Sequence, residues 1–107
     1  MVEFDGHPHP FYSCRNCLNP LALHDDLISK SYLVKSGKGY MFAQAMNVVL
    51  GRREDKKMLT GVYTIANIYC RKCGEELGWQ YLQAHDFKQK FKEGSFIIEK
   101  LKMIKVY

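Results

Sequence analysis

Much of what would commit this 107-residue chain to a membrane, to secretion or to a familiar catalytic mechanism is missing from it. No apolar run approaches the ~20 residues a helix needs to cross a bilayer. The opening "MVEFDGHPHPFYSC" has no basic segment followed by an apolar one, so a secretory leader is not expected and the expected location is the nucleus or cytoplasm. No serine elbow of the hydrolase kind and no glycine-rich phosphate loop is present. Internal repeats and low-complexity stretches are absent too. Tryptophan occurs once, at position 79, and cysteine four times. The remainder, 47% hydrophobic and 25% charged, is the balance of a globular chain with room for one modest core.

The cysteines carry the strongest signal. Cys14 and Cys17 form one C-x2-C pair, and Cys70 and Cys73, in "IYCRKCGEELGWQY", form another after a gap of 52 residues. Three chemistries use such pairs. A disulfide framework needs an oxidising compartment, against which the missing leader argues. A thioredoxin-like redox centre needs one such pair in a βαβ setting, and no helical pattern follows either pair. A closed four-thiolate zinc site needs two pairs, each in a tight knuckle that offers two sulfurs to one edge of a tetrahedron. Gly74 fits that demand, because the position after the second cysteine often takes positive φ, and Leu18 holds the matching place in the first pair. Arg15, Arg71 and Lys72 are expected to favour thiolate over thiol.

The magnitudes agree with zinc. Closing a loop of 52 residues costs about 3.5 kcal/mol plus a constant. A structural zinc site contributes on the order of 10–16 kcal/mol, comparable to the net stability of a whole domain. With four protein thiolates as ligands, no coordination position stays open for water or substrate, so the expected ion holds the fold and performs no chemistry.

Along the chain, residues 1–10 read as a loosely ordered tail broken by Gly6, Pro8 and Pro10, with the zinc-binding domain over 11–107. A strand is expected from Leu27, a turn at "GKG" (37–39), and a β-rich segment over 40–50. "RREDKK" (52–57) reads as a polar hairpin tip. Beyond it Val62, Thr64 and Ala66 alternate with Tyr63, Ile65 and Asn67. "LGWQYLQA" (77–84) reads as a strand and "HDFKQKFKEGS" (85–95) as a polar loop or turn. "FIIEKLKMIKVY" (96–107) reads as one long strand with a bulge near Glu99–Leu101, where its alternation slips. The fold class is mainly β, antiparallel, with the two knuckles clamped at one end. Of the net charge of +5, +4 falls in Lys88–Tyr107. That region is either a patch for nucleic acid or an acidic partner, or the solvated guard of an exposed strand.

The segments "YSCRNC", "HDDLISKSY", "NVVLG", "LTGVYTIANIYCRKC", "LGWQY" and "KFKEGSFIIEKLKMIK", in this order over about Tyr12–Lys105, resemble the Yippee family of small zinc-binding proteins. The resemblance implies a β-tent, two antiparallel sheets meeting near the zinc. That fold is similar to the drug-binding domain of cereblon, to B-type methionine sulfoxide reductases and to the C-terminal domain of RIG-I-like RNA sensors. The resemblance also implies a nuclear association and, for some members, association with a multi-subunit ubiquitin ligase of the GID/CTLH type. Fold alone does not choose among these functions.

Three functions follow for testing. The first is a non-enzymatic interaction module for a protein partner or small ligand. By resemblance to cereblon, Trp79, six residues after Cys73, would line an aromatic pocket with Tyr63 as a second wall, attracting a cation or an imide-like ring. The plain alternative makes Trp79 a core aromatic and Tyr63 ordinary sheet packing, with Gly78 either leaving room for a ligand or easing a bend. The second, a sulfoxide reductase, needs a nucleophilic cysteine outside the zinc site, and the chain has no fifth cysteine. The pairs Asp25–Asp26 and Glu75–Glu76 read as turn and loop residues, so the chain is not expected to be an enzyme. The third is nucleic-acid (RNA) binding through the basic C-terminal region, where "FKQKFK" interleaves aromatics with cations. His7 and His9 fall in the tail, His24 reads as structural and His85 as a loop residue.

Overall fold

The computed structural model describes residues 9–107, so most of the tail expected over 1–10, including His7, lies outside the described residues. Nine strands follow: β1 (Phe11–Cys14), β2 (Pro20–Leu23), β3 (Leu27–Val34), β4 (Gly37–Phe42), β5 (Val48–Met58), β6 (Gly61–Cys70), β7 (Glu76–Ala84), β8 (Phe96–Glu99) and β9 (Met103–Val106). They form a three-stranded sheet, β2-β1-β9, and a six-stranded sheet, β3-β4-β8-β7-β6-β5, antiparallel throughout. This is the mainly β, two-sheet architecture expected from the sequence.

Period-two alternation sorts the side chains into two clusters. Ile68 and Cys70 of β6, Phe42 of β4 and Ile98 of β8 pack against Tyr12, Cys14, Leu21 and Met103 of the small sheet. The opposite face of the large sheet gathers Met41, Tyr63, Ile65, Tyr81 and Ile97 into a second cluster with no sheet over it. Strand β7 reaches both clusters because it is bulged twice. Ile68 pairs with Gly78 and Tyr69 with Glu76, so Leu77 is an extra residue, and Leu82 is extra in the same way further along. The first bulge lets Leu77 face the small sheet while Trp79, two residues on, faces the other side with Tyr81.

Several local expectations change. "RREDKK" is not a hairpin tip but part of edge strand β5, where a run of charges keeps the unpaired edge in water. The tip is Leu59–Thr60. The turn before β4 is Lys35–Ser36, and the segment 40–50 is broken over 43–47, with Asn47 at φ 57. Residues 85–95 contain a 3-10 helix, Phe87–Lys92, whose first turn is capped by the Asp86 carboxylate accepting from the Lys88 N–H at 2.9 Å. The C-terminal strand is two strands in different sheets. The slip in alternation at Glu99–Leu101 marks the 3-10 turn Lys100–Lys102, where the chain crosses from one sheet to the other.

Gly78 neither makes room for a ligand nor eases a simple bend. A Cβ built there would lie 1.9 Å from the Ile97 carbonyl oxygen of neighbouring β8. The missing side chain lets two backbones approach beside the bulge. Gly78→Ala is expected to cost about 3 kcal/mol or more, roughly 12 °C or more in Tm. A thermal melt within a few degrees of wild type would show that the strands part without penalty.

Candidate functional site

Each cysteine pair closes a hairpin, the first between β1 and β2 of the small sheet and the second between β6 and β7 of the large one. The two knuckles are near copies. The Leu18 N–H donates to the Cys14 carbonyl at 2.7 Å and the Gly74 N–H to the Cys70 carbonyl at 2.8 Å. The Cys14 N–H donates to Asn19 O and the Cys70 N–H to Glu75 O, both at 2.8 Å. Gly74 has φ 80 and Leu18 φ 66, so the left-handed residue expected from Gly74 occurs in both knuckles, once with a side chain that resists it.

The four Sγ atoms lie within 4.8 Å of one another, with Cys14–Cys73 at 3.7 Å and Cys17–Cys70 at 3.5 Å. Sulfurs 2.3 Å from a central ion at tetrahedral corners stand about 3.8 Å apart, so the residues present fit such an ion. All-sulfur tetrahedral coordination suits zinc or iron and excludes the hard cations that prefer oxygen.

Hydrogen bonds divide the thiols before any ion binds. Burial pushes Cys14 up to about 12 and pushes Cys17 up as well. For Cys70 burial is the largest single influence and also raises it. Hydrogen bonds from the Cys73 N–H, the Asn19 amide and the Lys72 N–H outweigh that effect and hold it at about 6. Cys73 is lowered first by the Asn16 side chain and then by the Glu75 N–H. Thiolate support thus comes from N–H donors rather than from the charges of Arg15, Arg71 and Lys72. Lys72 acts through its backbone, and the Arg71 guanidinium turns to the Val48 carbonyl at 3.4 Å.

Two residues absent from the sequence reading join the knuckles. The Asn19 amide donates to Cys70 Sγ at 3.3 Å and to the Asn47 carbonyl at 3.1 Å. Asn47 O also accepts from the Arg71 N–H at 2.9 Å, and its own amide donates to the Pro20 carbonyl at 2.8 Å. The signal for Asn47 was available, since asparagine tolerates the left-handed conformation. Its partners become visible only in three dimensions. Glu75 is paired with Lys102 at 2.6 Å, and the Lys102 carbonyl accepts from the Arg15 N–H at 2.9 Å, which ties the crossover turn to both knuckles.

On the uncovered face of the large sheet lies a groove of about 730 Å³, lined by Tyr32, Met58, Trp79, Tyr81 and Lys92 among others. Trp79 is half-buried, with its ring edge-on to Tyr81 at 6.0 Å. Tyr63, expected as the second wall, is fully buried beneath it. The Tyr63 ring packs against Tyr81 at 4.9 Å, and its hydroxyl bonds to Thr60 and to Lys92. Tyr81, on the same face of β7 as Trp79, lines the groove in the place expected of Tyr63. Burial pushes Tyr81 up to about 12 and Tyr32 upward too, so both phenols stay neutral near pH 7. Trp79 pairs with Asn67, about 10 Å along β6 from Cys70, and the groove runs from there away from the cysteines to the Leu59–Thr60 tip.

His24 and His85 stay outside both sites. His24 Nδ1 bonds to the Tyr12 hydroxyl at 3.0 Å, and His85 Nε2 to Thr64 Oγ1 at 3.0 Å. Asp25 and Asp26 sit in a 3-10 turn.

Comparison with known proteins adds the family. The profile described as "Yippee zinc-binding/DNA-binding /Mis18, centromere assembly" matches residues 11–107. A yippee-like protein of Arabidopsis thaliana is 55% identical over 92% of this chain and 93% of its own. Protein yippee-like 3 of Danio rerio is 50% identical over 91% of this chain and 82% of its own. The human protein of that name is 47% identical over the same shares. Among solved structures, the Mis18 "Yippee-like" domain superposes with TM-score 0.73 at 13% identity, covering 94% of this chain and 97% of that one, which shows the shared fold.

The matched knuckles allow a paired test. Nothing lies within 4 Å of a Cβ added at Gly74, so Gly74→Ala is charged only the left-handed penalty, about 1 kcal/mol. Leu18→Gly should remove that penalty while adding chain entropy, for a net gain of about 0.5–1 kcal/mol. Thermal melts of the metal-loaded variants are expected to shift in opposite directions. A Leu18→Gly variant that melts lower would mean that the leucine side chain, not the backbone, holds this turn.

Proposed function

The chain belongs to the Yippee-Mis18 family, and on that premise we propose that it is a non-enzymatic interaction module, held together by one structural zinc ion, that binds a protein partner. The reading rests on one observation: all four cysteines of the chain converge on a single closed site, while the aromatic groove opens on the other face of the large sheet. With its four thiolates committed to an ion, the chain has no cysteine thiol left for reductase chemistry. Among the described residues no helix is long and apolar enough to cross a membrane.

The finer reading is a subunit or adaptor of a ubiquitin-ligase complex of the GID/CTLH type, working in the nucleus and cytoplasm. It is supported by the family resemblance and by a groove of partner-binding character. The alternative, nucleic-acid binding through the C-terminal lysines, has less behind it. Of the six C-terminal lysines Lys92 is buried, Lys90 is paired with Glu93 at 3.1 Å and Lys102 with Glu75, which leaves Lys88, Lys100 and Lys105 for such a contact.

Elemental analysis of purified protein is expected to find one zinc per chain, and Cys70→Ser to abolish both metal and soluble folding, given the ~10–16 kcal/mol such sites contribute. Well-folded protein without metal would end the zinc reading. Removing a fully buried tryptophan costs ~3–5 kcal/mol, and half-buried Trp79 should cost less. Tagged wild-type protein purified from its own cells is therefore expected to retain ligase subunits. Zinc-loaded Trp79→Ala should melt within several degrees of wild type yet lose those subunits. A wild-type preparation that retains no partner would sink the ligase reading, and a variant that cannot fold would return Trp79 to the core.

A further inference from the structure

The groove beside Trp79 is charged on one side only. Lys35, Lys56 and Lys57 stand exposed around it, Lys92 lies at its floor, and no aspartate or glutamate lines it. The Lys92 side chain is nearly inaccessible, at 4% exposure. Its Nζ donates to Tyr63 Oη at 3.0 Å and to Thr60 Oγ1 at 3.1 Å. The same nitrogen sits 5.1, 5.4 and 5.6 Å from the ring centroids of Tyr63, Tyr32 and Tyr81. The cation–π position of this aromatic cage is therefore already occupied by the chain's own ammonium, and a second cation is repelled rather than drawn in. A cationic ligand, one of the two expected from the sequence, does not fit a floor of this charge.

An ammonium has three donors and Lys92 uses two of them. Among the described residues no carboxylate pairs with it. A buried cation without a counter-ion is held at a cost that an incoming anion would relieve. The indole N–H of Trp79, buried in the same wall, also lacks a well-formed hydrogen bond and has only the neighbouring Tyr81 hydroxyl near it. Two under-used donors thus belong to residues that line one cavity.

The lips of the groove set the size of the occupant. Leu33, from edge strand β3, is 80% exposed, and Leu59, at the tip after the opposite edge strand β5, is 99% exposed. A small molecule on the floor would leave both leucines in water, whereas a peptide lying along the groove would cover them. We infer that the groove receives an acidic segment of a protein partner in extended form. One carboxylate reaches Lys92, an adjacent apolar side chain rests on Trp79 between Leu33 and Leu59, and flanking acids meet Lys35, Lys56 and Lys57. The inference rests on reading the chain as an interaction module, and it specifies the chemistry of that module's partner.

The test uses the zinc-loaded full chain and its single tryptophan as reporter. The probe is the acetylated, amidated peptide Glu-Phe-Glu-Leu-Glu-Phe-Glu, with counterparts in which Gln or Lys replaces every Glu. The acidic peptide is expected to shift Trp79 emission saturably, at least tenfold more tightly than the Gln peptide, with no response to the Lys peptide. Lys92→Met, which keeps an unbranched stem in the cage, should bring the acidic peptide down to the Gln level while zinc content stays intact. Should that variant fail to fold, the exposed pair Lys56→Gln, Lys57→Gln should weaken binding threefold or more. Equal binding of the Gln peptide, or no binding of the acidic one at millimolar concentration, overturns the inference. So does phenylacetate binding as tightly as the peptide, which would make this a small-molecule pocket, or an oligouridine displacing the peptide at lower concentration, which would make it a nucleic-acid site. If the peptide fails while wild-type protein still retains its ligase subunits through Trp79, the interaction-module reading stands and only the acidic occupant falls. An empty partner purification with the peptide still bound sinks the ligase reading alone.

Discussion

Four sulfurs tie the turn of one hairpin in the small sheet to the turn of another in the large sheet, and the rest of the molecule is arranged around that junction. The strands of the two sheets share no ladder. What joins the sheets at this end is the cysteine cluster, the Asn19–Asn47 hydrogen bonds and the crossover turn at Lys102. Behind the cluster the small sheet covers one face of the large sheet with Tyr12, Leu21 and Met103. The three strands of the small sheet are four residues each, shorter than the usual length of about five or six, and their apolar face is buried only against the large sheet, so the ion-binding knuckles and this shared core depend on each other.

Covering one face of the large sheet leaves the other to close by its own curvature. Tyr63, Ile65, Tyr81 and Ile97 bury one another there, and the edge strands β3 and β5 form the sides of a groove instead of packing against a further layer. The first bulge in β7 decides what the groove shows. Without the extra residue at Leu77, Leu77 and Trp79 would point the same way, and either the inter-sheet core would lose its leucine or the groove its indole. The close backbone approach at Gly78 is the local condition for that bulge.

The lysine-rich C-terminal segment shows how one composition serves several ends. Lys90 and Lys102 pair with Glu93 and Glu75. Lys92, two residues from Lys90, turns inward to fill a tyrosine cage, because a 3-10 helix carries it under the sheet. A count of charges along the chain treats these residues as equivalent, and their energetics differ by whatever burial and partner each one finds.

The metal site was legible in the sequence because its information is local. Each C-x2-C turn must place two sulfurs together, and Gly74 announces the left-handed residue that closes the turn. Alternation in β6 was legible for the same reason, since side chains at i and i+2 share a face whatever the partner strand. Tertiary structure decided whatever depended on pairing across distance. The charges of 52–57 read as a polar hairpin tip, and it is their pairing with β6 that makes them an edge strand. The C-terminal strand read as one until its halves were found in different sheets. The face taken by Trp79 depended on the bulge at Leu77, whose one mark in the sequence is Gly78 and whose register only the pairing with β6 fixes. Lys92 had no distinguishing neighbour in sequence, because Tyr32, Tyr63 and Tyr81, 60, 29 and 11 positions away, meet around its ammonium only once the large sheet has curled.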